Sequence, residues 1–559
     1  LGLVPLSPIG RVEVYRGSSP LAFGTSAIGG VVSLTGEAPE ASAVSAHTGV
    51  GSFATRLGGG ELAYVGERLT VVASASGFAT DADFPYRSDN RTLFDPSDDR
   101  TLRRQNNQLA QIDAAVRAGF RLPGRRQLSL AVVGVDRDQG LPARGTDQSF
   151  EATLARRRAH ASLTYEGLDD LGEGGRLRAV VYGLGAEQRF SDPRGEIAFG
   201  PSATRDRSFT FGTTLLARRP FGGHFVLSGL LDGRREGFYP HDDLRAGARP
   251  DGRRAFAAAG LAGTWFVDAP DLEITGTLRT EAASDSISPV GLFASATPPA
   301  TSSQEFLPVA RLGVLLRASD AWQMRLNGGT YARLPTLHER YGNGGTIRGN
   351  PRLVPERGDS ADAGVRYARV FRDGYGVAVD AGLFAARSRE LIQFEQMGYF
   401  GGYANVSRAR ATGAELGVSA QAAKHLRLLL SSTFIDAVDR GDRSSSTGRQ
   451  LPHQPALRGY LRPELRDLPL GARFRVGAYG DLELLTARYA DPANLVEQPG
   501  RRVLGAGLSL AYLPARLRAV VSAYNLGDER ATDVLEYPLP GRSFFVTLEF
   551  AYSKEEPQP

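Results

Sequence analysis

Cysteine is absent from all 559 residues, so no disulfide holds this fold together. That suits an oxidising compartment, although many cytosolic proteins also lack cysteine. Lysine is nearly absent: Lys424 and Lys554 are the only two. Basic charge is therefore almost all arginine, which codon composition explains as well as function does. The net charge is only +5, which gives little support to nucleic-acid binding. No run of about 18 or more apolar residues occurs, and this excludes a transmembrane helix. It does not exclude a membrane, because a barrel spans with strands of about ten residues that are apolar only at alternate positions. Enzyme signatures are missing too: there is no G-x-S-x-G, no P-loop and no H-E-x-x-H. The seven histidines are scattered from His47 to His453, with no metal-ligand spacing. No secretory leader is visible at Leu1.

What is present is alternation. Leu272, Ile274, Gly276 and Leu278 interleave with Glu273, Thr275, Thr277 and Arg279. Trp322, Met324 and Leu326 interleave with Gln323, Arg325 and Asn327. Phe474, Val476, Ala478, Leu482 and Leu484 interleave with Arg473, Arg475, Tyr479, Asp481 and Glu483. A period of two makes strands with one apolar and one polar face. The same pattern suits a membrane barrel or a soluble sandwich. Three further features favour the barrel. Strands continue from about Ser45 to Tyr552 with no helical-period segment between them. Polar connections are long at Thr80–Asn107, Ser191–Arg207, Asp285–Gln304 and Arg440–His453. And one soluble core of this size would split into domains, yet no linker is visible.

The stretch Ile9–Thr35, IGRVEVYRGSSPLAFGTSAIGGVVSLT, has a different character. It reads as a short strand at Arg11–Tyr15, a glycine turn, a loop of small residues and a second strand at Gly30–Thr35. This stretch resembles the plug end of TonB-dependent outer-membrane receptors, with Ser18 where the family usually has proline. Three further stretches are similar to that family in the expected order: Tyr331–Tyr367 (YARLPTLHERYGNGG…), Asn405–Ala420 (NVSRARATGAELGVSA) and Tyr524–Phe550 (YNLGDERATDVLEYPLPGRSFFVTLEF).

The resemblance implies an all-β fold: a 22-stranded antiparallel transmembrane β-barrel with the C-terminal remnant of an N-terminal plug domain. That allots about 23 residues to each strand and its connection. The implied division is plug at 1–40, barrel at 41–552 and a tail at 553–559. In Ser543–Tyr552, Phe544, Val546, Leu548, Phe550 and Tyr552 form the expected lipid-facing ladder. The charged residues that follow depart from the family's usual aromatic end. The chain begins at Leu1, so the front of the plug and its grip motif are expected upstream.

The resemblance also implies site residues. Gly17, Gly24, Gly29 and Gly30 form plug turns. Arg16 is expected to meet barrel-wall carboxylates at Asp362 and Glu415 through charge-assisted bonds that water can replace. An ordinary solvated lumen charge is the alternative for each. Phe84, Tyr86, Tyr341, Tyr399, Phe400 and Tyr403 are candidate ligand contacts near the outer mouth, or else interfacial girdle aromatics. The cluster Asp81, Asp83, Asp89, Asp95, Asp98 and Asp99 offers oxygens for a calcium ion, with a simple solvated loop as the alternative; no other cofactor is indicated.

The function implied is TonB-dependent active transport of a scarce ligand, commonly a ferric siderophore, across the bacterial outer membrane. The chemistry would be binding and gating, not catalysis. Implied partners are the TonB–ExbB–ExbD energising complex, a small-molecule ligand, outer-membrane lipid and lipopolysaccharide, with the chain a monomer. An ungated porin-like channel or incomplete receptor fragment, and a surface β-rich binding or adhesin protein, remain the alternatives.

Overall fold

Alternating side chains leave a strand one greasy and one polar face, and closing the sheet on itself removes both edges. The computed structural model shows that outcome. It describes residues 9–15, 20–23, 30–36, 38–88, 90, 92, 95, 97–145, 147–197, 200–244, 251–287, 301–342, 347–372, 374–397, 400–442 and 445–553. Twenty-two antiparallel strands form a closed barrel, with each pairing to its chain neighbour. The first, Ala43–Gly51, pairs with the last, Ser543–Ser553, from Ala43 opposite Ser553 to Gly51 opposite Phe545. The barrel therefore ends one residue beyond the expected Tyr552. Among the described residues no helix is long and apolar enough to cross a membrane.

Strand Gly252–Val267 displays the principle most cleanly. Gly252, Arg254, Phe256, Ala258, Gly260 and Ala262 are buried inside, while the residues between them face out, among them Leu261 and Trp265. The three segments singled out by their alternation behave alike: Leu278, Trp322, Met324, Leu326 and Phe474 are exposed on the outer face. So are Phe544, Val546, Leu548 and Tyr552 of the closing strand. Large apolar side chains ringing the outside of a closed barrel match a lipid belt.

Connections segregate by rim. One rim carries tight turns such as 66–68, 123–125, 222–224 and 471–473. The other carries 81–108, 141–152, 193–201, 334–355, 440–456 and 525–542. One sequence expectation is corrected here. Ser191–Arg207 is strand at both ends and a connection only at 193–201, because Arg176–Asp192 and Ser202–Phe221 remain paired through Asp192 opposite Ser202. Charge does not bound the loop here: Arg205, Asp206 and Arg207 stand on strand, because both faces of a strand that outgrows the membrane meet water.

Loops on the long-loop rim are stapled to each other. Glu196 accepts hydrogen bonds from Ser149 Oγ at 2.7 Å and from the backbone N–H groups of Phe150, Glu151 and Ala152 at 2.8, 2.9 and 3.3 Å. Burial alone would raise this carboxyl, but those donors outweigh it and hold its pKa at about 2, below the ordinary 4.5. A depressed carboxylate adds stability above its unfolded pKa and loses it as pH falls through the folded one. Amide-exchange protection of 147–152 is therefore expected to be full near neutrality and to fade between about pH 4.5 and 2. Glu196→Ala is expected to remove that protection at every pH; a wild-type acid profile in the variant would sink the assignment.

Candidate functional site

The opening stretch, consistent with the expected plug remnant, touches the wall through a hydrophobic knob and a guanidinium. Its hairpin pairs Arg11–Tyr15 with Val31–Thr35. Between them, the turn at Pro20–Phe23 presents Leu21, which is buried against Leu230 and Ala262, with Leu216 packed alongside. Gly260 makes the space, since a Cβ there would lie 2.6 Å from Leu21 Cδ1. Arg279 Nη1 donates to the Leu21 carbonyl at 3.0 Å, and Arg279 also pairs with Glu281 at 3.0 Å. Both ionic side chains are buried. A second wall arginine, Arg117, donates to the carbonyl of Gly36.

Above this contact the loop 334–355 turns into the lumen. Its short helix, Leu337–Tyr341, starts with a capping box between Thr336 and Glu339. A buried ionic triad fastens it. Arg254 grips Asp285 bidentately at 2.6 and 2.8 Å, and Arg340 Nη1 donates to the same carboxylate at 2.6 Å. The three side chains are only 4%, 3% and 3% exposed. The remaining donors go to loop or wall: Arg254 Nη2 to the Pro335 carbonyl at 2.8 Å, Arg340 Nη1 to Ser303 Oγ at 2.9 Å and Arg340 Nη2 to the Leu353 carbonyl at 3.0 Å. Arg333 adds a second clamp, bidentate to Glu356 at 2.8 Å and bonded to both oxygens of Glu339 at 3.0 Å. Tyr341 stacks on Phe238 with ring centroids 6.1 Å apart. Burial pushes its phenol up to about 12, so the ring stays neutral.

Between the opening stretch and the inturned loop lies a cavity of about 690 Å³. Ala22 forms part of its floor, and Arg333–His338 contributes Arg333, Leu334, Thr336, Leu337 and His338 to its roof. Its walls carry Arg156, Gln188, Asp232, Arg234, Glu236 and Phe256. Arg234 lies between Glu236 and Asp232 at 2.6 and 3.4 Å, and its guanidinium sits 3.5 Å from the Phe256 ring centroid. Burial, helped by the nearby Arg156, holds the His338 imidazole below its ordinary value against the pull of Glu339. That ring is neutral at neutral pH and accepts or donates without charge. A wider cavity, about 1320 Å³, opens among the loops around Arg458, Arg488, His453 and Tyr460.

The residues expected from sequence fall in several places. Arg16, Gly17, Gly24, Gly29, Asp89 and Tyr399 lie outside the described residues. Gly30 has φ 114°, a conformation that favours glycine. Asp362 and Glu415 share the lumen face, on strands Glu356–Arg372 and Phe400–Ala423, and Asn327 Nδ2 donates to Asp362 at 2.9 Å. Phe84 and Tyr86 are buried in loop packing: Phe84 meets Phe53, and Tyr86 lies under Arg104, which also covers Tyr537. Tyr341 and Tyr403 both flank the inturned helix; Tyr403 meets His338 edge-on at 6.3 Å and Phe394 at 5.4 Å. Phe400 opens its strand.

Of the clustered aspartates, Asp83 pairs with Arg103 at 2.6 Å and Asp99 with Arg87. Asp98 accepts from Thr92 and Asn90, and Asp95 from Ser97. Asp81 donates its backbone N–H to the Phe53 carbonyl. Among the described residues no group of three or more metal-ligating side chains converges. The plug knob Leu21, its partner Arg279 and the Arg254–Asp285–Arg340 triad were not expected. One signal for the roof was available, the T-x-x-E spacing of Thr336 and Glu339.

A family model described as "TonB dependent receptor-like, beta-barrel" matches residues 74–526. Among curated protein sequences none matches this chain. Solved structures do. The copper transporter OprC is 17% identical, with a TM-score of 0.79 over 98% of this chain and 86% of its own. The siderophore receptor PiuA from Acinetobacter baumannii is 14% identical, with 0.77 over 98% and 86%. The ferric yersiniabactin uptake receptor FyuA from Yersinia pestis is 15% identical, with 0.76 over 97% and 85%. At these identities the likeness is one of fold.

Proposed function

The chain belongs to the TonB-dependent receptor family, and from that membership we propose that it imports a scarce metal chelate, a ferric siderophore first among the candidates, by plug gating. Family and structural neighbours are transport receptors, and the barrel is that of an outer-membrane protein. The observation that carries the proposal is the position of the smaller cavity. Its lining joins Ala22 of the plug to the inturned loop and the wall. A ligand filling that space contacts plug and barrel together, so occupancy changes the free energy of plug release. Only a differential contact of this kind can couple binding to a conformational change. The TonB–ExbB–ExbD complex then supplies the pull from the other side. Named functions of the neighbours, siderophore and copper uptake, support a metal-linked cargo.

In this reading Arg16, facing Asp362 and Glu415, supplies a second hold on the plug beside Leu21 and Arg279, and a calcium ion on the Asp81–Asp99 loop would be a structural accessory. The test is uptake of radiolabelled ferric chelates by cells making the full-length receptor, with and without a protonophore. Accumulation that needs the receptor and collapses with the proton gradient is expected. Receptor-dependent entry that ignores the protonophore would favour the porin-like alternative.

A further inference from the structure

Four arginines on the tight-turn rim lie over exposed aromatic rings on the outer face of the barrel. Arg219 sits 5.2 Å from the Phe221 ring centroid, Arg369 5.6 Å from Phe371, Arg372 5.3 Å from Tyr375 and Arg516 4.2 Å from Tyr552. None of the four has a carboxylate partner among the described residues. Other arginines of the same rim do: Arg126 pairs with Asp170 at 2.7 Å, and Arg317 with Asp271 at 3.0 Å and Glu273 at 3.2 Å. The rim therefore separates arginines neutralised within the chain from arginines left to their surroundings.

Position sharpens the contrast. Strands Ser202–Phe221 and Glu356–Arg372 run toward this rim, so Arg219 and Arg369 are rooted deeper in the apolar belt than the rings they cover. An arginine on the lipid face reaches back along its own stem to the headgroup level, where it needs an anion. Arg369 and Arg372 meet at one corner. Lys424, one of the chain's two lysines, joins them from the next tight turn. Gly374 lets the turns pack closely: its φ is 81°, and a Cβ there would lie 2.8 Å from Lys424 Cγ. Arg369 and Lys424 also border one hollow of about 400 Å³ with no carboxylate in its lining. Asp373, the one acid that the sequence places in this corner, lies outside the described residues and is outnumbered by the three cations.

We infer that Arg369, Arg372 and Lys424, with Phe371 and Tyr375, form a phosphate clasp for an anionic phospholipid in the leaflet on the tight-turn side. In barrels of this kind the short turns lie on the periplasmic side. The rings sit at the depth of the acyl esters, and the cations over them take the phosphodiester through charge-assisted hydrogen bonds. A zwitterionic headgroup brings its own ammonium into the clasp, so phosphatidylglycerol is favoured over phosphatidylcholine. The clasp lies on the membrane side of the wall and is independent of what the lumen carries.

Trp322 is a built-in reporter. It stands opposite Tyr367 on the neighbouring strand, with ring centroids 4.8 Å apart, and Arg369 and Phe371 follow Tyr367 on the same outward face. Trp265→Phe removes the only other tryptophan. In that background the full-length receptor is reconstituted in phosphatidylcholine vesicles carrying a brominated lipid. Quenching of Trp322 is expected to favour brominated phosphatidylglycerol over brominated phosphatidylcholine by about fivefold, the weight of one cation near the surface. Arg369→Gln with Arg372→Gln is expected to abolish the preference, and Arg219→Gln, remote from Trp322, to keep it. Unaltered heat-modifiable gel mobility checks that each variant barrel is folded. Equal quenching by the two lipids in the parent, or a preference that survives the double variant, overturns the clasp. So does a preference lost equally in Arg219→Gln, which would report bulk charge, or one displaced by millimolar glycerol phosphate, which would report a site for the free anion.

Discussion

Asp285→Ala is expected to lower the unfolding free energy of the barrel by about 3–5 kcal/mol, the usual cost of stripping one partner from a buried ion pair. The size follows from the geometry. Asp285 is the only carboxylate within 3 Å of both Arg254 and Arg340, among the described residues, and all three side chains are almost fully enclosed. Removing it leaves two like charges facing each other, with only Glu236 near Arg254, at 3.8 Å. The loop has the cheaper escape, since Arg340 can swing out to water with the helix that carries it. Limited trypsin digestion is therefore expected to cut at Arg340 in the variant and spare it in the wild type. Guanidinium unfolding in detergent measures the first effect. The double variant Asp285→Leu with Arg340→Leu is expected to recover part of the loss, because an apolar replacement removes the uncompensated charge. A single-variant loss below about 1 kcal/mol would mean that water already reaches the triad and solvates it.

The second large effect concerns leak. Arg279→Leu combined with Glu281→Leu removes both members of the buried pair and takes away the hydrogen bond to the Leu21 carbonyl. Hydrogen bonds from charged donors contribute about 1.5–3 kcal/mol. Losing one is expected to raise the open fraction of the plug roughly tenfold to a hundredfold. Ligand-free conductance in a planar bilayer reads this directly, and entry of a large antibiotic into cells reads it in vivo. Leak equal to wild type would show that the plug is held elsewhere. Arg16→Ala and Glu415→Ala then become the decisive comparison: a rise in leak there, with none at Arg279, transfers the latch to the expected lock.

Strands were legible from the sequence because their signal is local. The period of two in Leu272–Arg279 or Trp322–Asn327 depends on neighbours one and two residues away, and lipid outside with water inside enforces it. The closing ladder Phe544–Tyr552 was readable for the same reason. Loop extent was harder: Ser191–Arg207 looks like a connection because its strands continue past the apolar belt, where neither face needs to be greasy. Aromatics misled in a similar way. Phe84 and Tyr86 have the composition of a binding surface, yet they are buried where their loop packs against neighbouring connections.

The sequence by itself determined the class of molecule: an all-β chain with no helix fit for a membrane, alternating strands from end to end, and a plug-like opening stretch. The alternation is short-range, so composition and spacing carry it; the plug-like reading rests on the resemblance of Ile9–Thr35 to the family. Tertiary structure alone decided which residues contact the opening stretch and roof the cavity. Arg279 reaches Leu21 across 258 residues of chain, and Asp285 meets Arg254 and Arg340 across 31 and 55. Barrel closure brings such residues together by register, and register is a sum over many strand pairings that no single stretch encodes.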